Sequence, residues 1–406
     1  MTEPVQKQRK GPAPGFMLVF RREVRRIMRR PGLLFLVLVF PLLVFFCLAA
    51  IFRGGVPADL PIVVIDHDRT TISRQIISQI DAAPEVAVAY RVNDLASARA
   101  LIVDGSAYGA LLIPANLERD ARAGRQPEIV IFYNNQFMTP GSIVARAMQT
   151  AASTVSSAIA VSARMAHGEL RHRAIEAANP IPLQQSPLFN PGLDYIHFLL
   201  AALLPAALQI FIAASTVYTV ALERQIAGGL GRIERLGGGI APAMIGKLLP
   251  YTIAYTTILL LGDAVLVHIY GTPFMGNGWL YLGASLLFVL AYQFSGALFA
   301  VLAGDVVRAL GLAGLYTAPA FGFAGVSFPR VAMNGFAYGW SAILPLTWYL
   351  QIRVDQMLRA APLQSSLPAL GYLCALTALF GFLLVLVLVL KKRAASRQAD
   401  QVVVAA

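Results

Sequence analysis

The chain has 406 residues, of which 57% are hydrophobic and only 13% are charged, and its mean hydropathy is +0.65. Soluble domains carry about a quarter charged residues, so this composition excludes an ordinary soluble protein and indicates a chain that crosses a membrane several times. The formal net charge of +12 does not indicate nucleic-acid binding, because the basic residues are concentrated beside apolar runs, where they favour contact with anionic lipid.

The first predicted element is a basic segment that precedes the first apolar run. Residues 16–30 alternate apolar and basic side chains at helical spacing, which predicts an amphipathic helix on the cytoplasmic membrane surface. Its polar face carries the arginines that we assign to the interface: Arg22, Arg25, Arg26 and Arg29. Residues 1–32 are therefore interpreted as a cytoplasmic tail with an interfacial helix.

The apolar run over residues 33–52 predicts the first transmembrane helix. It is long enough to cross about 30 Å of hydrocarbon. A cleaved signal peptide is the alternative, since the run follows a basic leader and ends in small residues. We favour an uncleaved anchor, because the run exceeds the usual apolar core of a signal peptide.

The long polar region over residues 55–192 predicts a mixed α/β domain inserted between the first and second transmembrane helices. Runs typical of strands are 60–66, 85–91, 108–114 and 128–133. Helical patterns separate these runs, and such alternation favours an α/β or α+β domain. Residues 141–178 predict one long alanine-rich helix, and the proline-rich residues 179–192 predict an extended connector.

The rest of the chain, residues 195–390, predicts five further transmembrane helices. They cover 195–221, 246–270, 277–303, 308–327 and 367–390. Six helices in total, with basic residues just after the last, predict that both termini are cytoplasmic and that the inserted domain is extracytoplasmic. The loop 222–245 and the tail 391–406 are then cytoplasmic. Residues 328–361 are too interrupted for a full span and predict an outer re-entrant or broken-helix element.

No motif predicts nucleotide hydrolysis by this chain. A phosphate-binding loop needs a distant glycine, a Gly-Lys pair and then Ser or Thr, placed between a strand and a helix. Here Gly246-Lys247 is followed by Leu248 and opens an apolar run. We therefore predict a chain that is not an enzyme and binds no cofactor.

The sequence also predicts no metal site. Asp66, His67 and Asp68 are consecutive, and three consecutive side chains do not converge easily on one ion. The residues that follow are typical of a helix start, with Asp68 or Thr70 as its cap.

Two sets of residues in or near the membrane are further candidates. Asp263 is the carboxylate that lies deepest in a predicted span, and such a group has a functional role by default. A local ion pair is the alternative, as we expect for Asp305 with Arg308. The outer element 328–361 is rich in aromatic residues, typical either of an interfacial belt or of an outer gate. The gate candidates are Phe328, Pro329, Phe336, Trp340 and Pro345.

The order of these elements resembles a known family. A basic interfacial helix, one span, a large outer domain and five more spans resemble the type-2 ABC exporter permeases with a large extracytoplasmic domain, in their drug-efflux-like branch. The resemblance covers nearly the whole chain. It rests most specifically on RREVRRIMRRPGLLFLVLVFP, VVIDHDRTTISRQI, LERQ…GRIERL…GKLLPY and GVSFPR…ILPLTWYLQIRV.

The resemblance implies a permease subunit of an ABC exporter in a bacterial inner membrane, with a translocation path between two such chains. The second copy is identical or related, and a periplasmic adaptor is a further candidate partner. In such proteins the loop after the second span is a coupling helix that contacts a separate ABC ATPase subunit, which uses ATP and Mg. The coupling residues implied are Glu223, Arg224, Glu234, Arg235 and Leu236.

Two functions of other classes stay open at this point. The large outer domain is compatible with a membrane-anchored scaffold or receptor that transports nothing. The deep carboxylate of Asp263 is compatible with an ion-coupled secondary transporter.

Overall fold

The computed structural model describes residues 13–178, 186, 188–226 and 229–405. The chain divides into two compact units, one formed by 1–53 with 195–406 and the other by Gly54–Asp194. Most of the predicted N-terminal tail before residue 13 and most of the predicted proline-rich connector, 179–185 with 187, lie outside the described residues.

Six helices in the described part of the chain are long and apolar enough to cross a membrane. In order, these spans 1 to 6 are Pro31–Ile51, Ile196–Gln225, Ile240–His268, Gly278–Leu302, Val306–Phe323 and Leu363–Ala394. The last helix continues beyond span 6 to Ala405. The prediction of a polytopic helical membrane protein is confirmed, and the largest difference in the bounds is the start of span 3, predicted at residue 246 and found at Ile240.

Spans 1 and 5 contain local irregularities near prolines. Span 1 consists of helices Pro31–Leu34 and Phe40–Ile51 with a π-helical turn, Phe35–Val39, between them. The turn ends two residues before Pro41, which has no N–H to continue the α-helical hydrogen bonds. Span 5 is divided in the same way, into Val306–Thr317 and Ala320–Phe323 around Pro319.

The spans differ in how much of their surface the protein covers. In spans 2, 3 and 4, half or more of the most apolar stretch is buried: 61%, 50% and 67%. In spans 1, 5 and 6 the buried share is only 22%, 28% and 28%. Spans 2 to 4 therefore form the core of this unit, and spans 1, 5 and 6 leave apolar faces for lipid or another protein.

Three further segments complete this unit. An N-terminal helix covers Phe16–Arg29, and a connecting helix, Gly229–Gly237, lies between spans 2 and 3. The broken-helix element between spans 5 and 6 consists of Arg330–Ala332, Gly335–Ala342, Pro345–Arg353 and Val354–Leu358. Its interruptions agree with the pattern predicted for 328–361.

The unit Gly54–Asp194 contains a four-stranded sheet. Its strands are β1 Leu60–Asp66, β2 Val86–Val92, β3 Gly109–Ile113 and β4 Val130–Tyr133. The order is β2-β1-β3-β4, with β1 parallel to β2 and β3, and β4 antiparallel to β3. Each strand begins and ends within two residues of its predicted bounds.

The helices of this unit cover both faces of the sheet. They are Thr71–Asp81, Leu95–Val103, Leu117–Arg122, Met138–Ala166 and Arg171–Ala178. The first and the fourth pack against one face, which includes Ile62 and Leu111, and the second packs against the other, which includes Val63 and Ala110. The connections β1 to β2 and β2 to β3 run in opposite directions across the sheet, so right-handed crossovers place their helices on opposite faces.

The prediction of one continuous helix over residues 141–178 is wrong. The structure has two helices, Met138–Ala166 and Arg171–Ala178. Between them Gly168 has a φ of +90°, a left-handed conformation that glycine adopts readily and that ends helices. Helical periodicity on both sides of the break concealed it in the sequence.

The residues weighed as a metal site form the turn after β1. Thr70 is the cap of the following helix, where its hydroxyl accepts the N–H of Ser73. Asp68 accepts the N–H of Glu118 at 3.1 Å, and Asp66 accepts the N–H of Asp68 at 3.0 Å. Of the two predicted caps, the structure assigns Thr70.

Candidate functional site

The N-terminal helix lies directly against span 3. Its buried side chains, Val19, Glu23 and Ile27, recur every four residues and so form one face. Gly246 in span 3 allows the contact, because a Cβ at this position would lie 2.3 Å from the carbonyl oxygen of Phe16.

The N-terminal helix also contacts the connecting helix. The N–H of Gly15 donates to the carbonyl of Leu236 at 2.9 Å. Val19, Ile233 and Ala243 form a small buried apolar cluster in which Leu236 is partly buried. The N-terminal helix is therefore packed into the protein on one side.

Glu23 carries a buried negative charge on this helix. Its side chain is fully buried, and Lys247 of span 3 lies 3.2 Å away from its Oε1. The hydroxyl of Tyr251, one turn further along span 3, donates to the same oxygen at 2.9 Å. Glu23 therefore ties the N-terminal helix to span 3.

Glu223, near the end of span 2, joins the same cluster. Its carboxylate is fully buried and accepts hydrogen bonds from Arg22 at 2.6 Å and from Arg26 at 2.7 Å. Lys247 Nζ lies 3.6 Å from Glu223 Oε2. We call the set Arg22, Glu23, Arg26, Glu223 and Lys247 the charge cluster.

The assignment of the N-terminal arginines to the membrane interface is corrected for two of them. The side chains of Arg22 and Arg26 are only 28% and 9% exposed, because they turn toward Glu223. Arg25 and Arg29 are exposed, as the amphipathic pattern predicted. A buried carboxylate, which helical spacing alone does not reveal, decides the difference.

The charge cluster contains three cations and two carboxylates, and of these only Arg22, at 28%, and Arg26, at 9%, keep any exposed side-chain surface. A buried charge that loses its partner costs several kcal/mol, so each member constrains the others. Glu23 Oε2, Arg22 Nη1 and Arg26 Nη2 are buried and have no hydrogen-bond partner in the described ranges. The hydrogen bonds of the cluster are incomplete, so attraction between opposite charges is the main interaction that holds it together.

Sequence reasoning missed Glu23, Lys247 and Tyr251. Glu23 is the single acidic residue of the N-terminal helix and is four residues from both Val19 and Ile27, so it falls on the apolar face. Lys247 follows Gly246 in a pair that imitates part of a phosphate-binding motif, which obscures its structural role. A charge on the buried face of a helix needs a partner. The position of Glu23 on such a face is the sequence signal that could have pointed to a buried cation such as Lys247.

The predicted coupling residues occupy different environments. Glu223 is inside the charge cluster. Arg224 is half-buried, and its Nη1 donates to the carbonyls of Ala300 and Ala303 at 2.6 Å. Ala300 is in the last turn of span 4 and Ala303 follows its last residue, and carbonyls at a helix end have no partner within the helix. The structure therefore places Glu223 and Arg224 within the bundle.

The remaining coupling residues are on the connecting helix. Arg235 is exposed, while Glu234 and Leu236 are partly buried. Glu234 accepts a hydrogen bond from Lys392 of the last helix at 2.6 Å. Arg232, three residues before Arg235, is also exposed, so the two arginines lie on one accessible side of the connecting helix.

Asp263 forms a second polar cluster, toward the other end of span 3. Its carboxylate accepts hydrogen bonds from Arg353 at 2.5 Å and from Tyr281 at 2.7 Å. This ion pair joins spans 3 and 4 to the broken-helix element, and it supports the structural alternative for Asp263. The predicted pair of Asp305 with Arg308 is also present, at 3.2 Å.

The outer-gate candidates do not all come together. Phe336 and Trp340 stack with ring centroids 6.3 Å apart. Phe328 and Phe336 are exposed, whereas Pro345 is buried at the start of Pro345–Arg353. Pro329 immediately precedes the short helix Arg330–Ala332.

The comparisons with known proteins identify one family. The family model described as ABC-2 family transporter protein matches residues 31–386. This range contains spans 1 to 5, most of span 6 and the whole of Gly54–Asp194. A comparison with curated proteins found no match.

We predict that Glu223→Gln releases the N-terminal helix. The substitution leaves three cations with one carboxylate, so we expect the free energy of unfolding to fall by about 3–5 kcal/mol. Thermal unfolding of the detergent-solubilised protein measures this, and faster tryptic cleavage after the arginines of the N-terminal helix reports its release.

Glu234→Gln is the matched control for Glu223→Gln. It removes one carboxylate from a partly exposed pair with Lys392, for which we expect a loss of about 1 kcal/mol or less. Equal effects of the two substitutions would contradict a special role for the charge cluster.

We also predict that Gly246→Ala separates the N-terminal helix from span 3. The added methyl group overlaps the backbone of Phe16, which cannot move without the helix. Gly283→Ala in span 4 is the control, because a Cβ there meets no atom within 4 Å. Tryptic cleavage in the N-terminal helix should accelerate only in Gly246→Ala; unchanged cleavage there would exclude the close contact.

Proposed function

The chain belongs to the ABC-2 family of transporter proteins, and on this basis we propose that it is the membrane subunit of an ABC exporter. A separate ABC ATPase subunit, which binds ATP and Mg, supplies the energy. Two permease chains, identical or related, form the translocation path. The sequence contains no phosphate-binding motif, which supports a division of labour between this chain and the ATPase.

The proposal is supported mainly by the two sides of the connecting helix, one exposed and basic, the other attached to the rest of the bundle. The connecting helix presents Arg232 and Arg235 on an exposed side, while its other side is attached to three elements. Gly15 bonds to Leu236, Lys392 bonds to Glu234, and the chain continues directly into span 3. A force on the exposed arginines would therefore reach the N-terminal helix, span 3 and span 6 together.

The ion pairs of Glu223 and the hydrogen bonds of Arg224 to the end of span 4 give both residues a role different from direct contact with the ATPase. Glu223 is buried and Arg224 is half-buried against the end of span 4, so we assign ATPase contact to Arg235 with Arg232, and transmission to Glu223 and Arg224. Glu223 couples span 2 to the N-terminal helix, and Arg224 couples span 2 to the end of span 4. The N-terminal helix, which contacts the connecting helix and is ion-paired to spans 2 and 3, acts as a lever between the connecting helix and these spans.

The least covered spans are the candidates for contact with the second permease chain. Spans 1, 5 and 6 leave most of their apolar surface uncovered. Alternating access requires the path to open on one side and then on the other. Rearrangement of these faces against a second chain provides such a movement without chemistry in this chain.

The proposed orientation places the connecting helix and both chain ends in the cytoplasm. The N-terminal arginines and Lys391, Lys392 and Arg393 are the basic flanks of spans 1 and 6, and such flanks remain cytoplasmic. The unit Gly54–Asp194 is then extracytoplasmic, where a periplasmic adaptor would bind it if export crosses two membranes.

We predict that the affinity-tagged chain, expressed in its native host, co-purifies with an ABC ATPase subunit and with ATP hydrolysis. Arg232→Glu/Arg235→Glu should reduce the ATPase recovered at least tenfold, because it reverses both exposed charges of the connecting helix. Mass spectrometry of the purified complex quantifies the subunit.

Arg99→Glu is the control for charge reversal, since Arg99 is exposed in the unit Gly54–Asp194, which the proposed topology puts on the opposite side. The amount of ATPase recovered with the Arg99→Glu variant should equal that recovered with the unmodified chain. Absence of an ATPase from the unmodified preparation would favour a scaffold or receptor, and full recovery with the double variant would exclude the connecting helix as the contact.

We further predict opposite labelling of two introduced cysteines. The natural cysteines, Cys47 and Cys374, are first changed to serine. In spheroplasts, a membrane-impermeant maleimide should label Arg99→Cys at once and label Arg235→Cys only after permeabilisation. Labelling of Arg235→Cys in intact spheroplasts would invalidate the proposed topology, even if the ATPase complex had formed.

A further inference from the structure

A cavity of about 280 Å³ lies among the connecting helix, the start of span 3 and the ends of spans 4 and 6. Its basic lining consists of Arg224, Lys391 and Lys392, and its apolar lining includes Ile240, Met244 and Leu388. We call it the basic pocket. Glu234 is the single acidic residue among the lining residues.

Positive charge in the basic pocket exceeds negative charge. Arg224 Nη1 lies 3.3 Å from the carbonyl oxygen of Val301, and Lys391 Nζ donates to the same oxygen. Within the described ranges, neither cation has a carboxylate at ion-pair distance. Glu234 is shared with Lys392 alone, so three cations face one carboxylate.

Bonding to the end of span 4 does not use all donors of Arg224. Its three hydrogen bonds to carbonyls all come from Nη1. A guanidinium presents five N–H groups in a planar fork, and in the part of the chain described the other nitrogens donate no hydrogen bond. Such a fork matches two oxygens of a phosphate.

An apolar groove of about 440 Å³ continues from the basic pocket along spans 3, 4 and 6. Ile240, Met244 and Leu388 line both cavities. From Ile240 to Thr252 the groove follows span 3 for about 18 Å at a rise of about 1.5 Å per residue. One leaflet contributes half of a hydrocarbon core of about 30 Å, so the groove has the length of one acyl layer.

We propose that the basic pocket and the groove together bind one anionic phospholipid. The phosphodiester contacts Arg224, Lys391 and Lys392, and one acyl chain lies in the groove between spans 3 and 6. A cationic head site joined to an apolar channel of leaflet length matches both parts of such a molecule. The bound lipid would bridge the end of span 2, at Arg224, and the end of span 6, at Lys391 and Lys392.

Native mass spectrometry of the delipidated, purified full-length chain tests this site. The probe is phosphatidylglycerol, compared with phosphatidylcholine of the same acyl chains. We expect one phosphatidylglycerol per chain at concentrations where phosphatidylcholine does not bind. Lys391→Gln/Lys392→Gln should weaken its binding at least fivefold, and Lys391→Arg/Lys392→Arg should retain it.

Two further variants separate this site from general attraction of anionic lipid. Arg25→Gln/Arg29→Gln removes the same charge from exposed positions of the N-terminal helix and should leave binding unchanged. Ala241→Trp keeps every charge but fills the groove at an exposed position of its wall, and should weaken binding at least fivefold. The thermal unfolding midpoint of each variant verifies folding.

Three outcomes would overturn the proposal. The first is equal binding of the two lipids, and the second is an equal loss in Arg25→Gln/Arg29→Gln, which would indicate general charge attraction. The third is unchanged binding of phosphatidylglycerol to Ala241→Trp, together with complete displacement of this lipid by inorganic phosphate. This result would indicate a phosphate site that does not use the groove.

Discussion

The pairing of buried charges determines how the basic end of this membrane protein is assembled. Glu23 and Glu223 are fully enclosed, and their cationic partners come from the N-terminal helix and span 3. Charges in such surroundings must be matched, so spans 2 and 3 and the N-terminal helix cannot be placed independently. Gly246 makes the arrangement possible, since any side chain there would hold the N-terminal helix too far away for Glu23 to reach Lys247.

Span 3 carries a charged cluster near each of its ends. Lys247 belongs to the charge cluster, and Asp263, 16 residues later, pairs with Arg353 of the broken-helix element. The two sites are about 24 Å apart along the helix. Span 3 therefore links the N-terminal and connecting helices to the broken-helix element through two strong attachments, an arrangement suited to transmitting movement from one end of the bundle to the other.

Basic residues that look alike in the sequence perform different physical tasks in the fold. Arg22 and Arg26 neutralise a buried carboxylate, Arg224 bonds to the carbonyl end of span 4, and Arg235 is exposed. Lys391 lines the basic pocket. The net charge of the chain thus reflects internal pairing, a proposed contact surface and a proposed lipid site together, and membrane attraction accounts for only part of it.

Local patterns in the sequence determined the spans, the strands and the interrupted character of residues 328–361, because hydrophobic period, run length and prolines act over a few residues. Only the tertiary structure decided which charges meet: Arg22 and Glu223 are 201 positions apart, and Lys247 and Glu23 are 224 apart. The same limit applies to Asp263, whose partner Arg353 is 90 positions away. A charged residue on an apolar helix face indicates, from the sequence alone, that a partner of opposite charge is needed. Which residue is that partner depends on how distant helices pack.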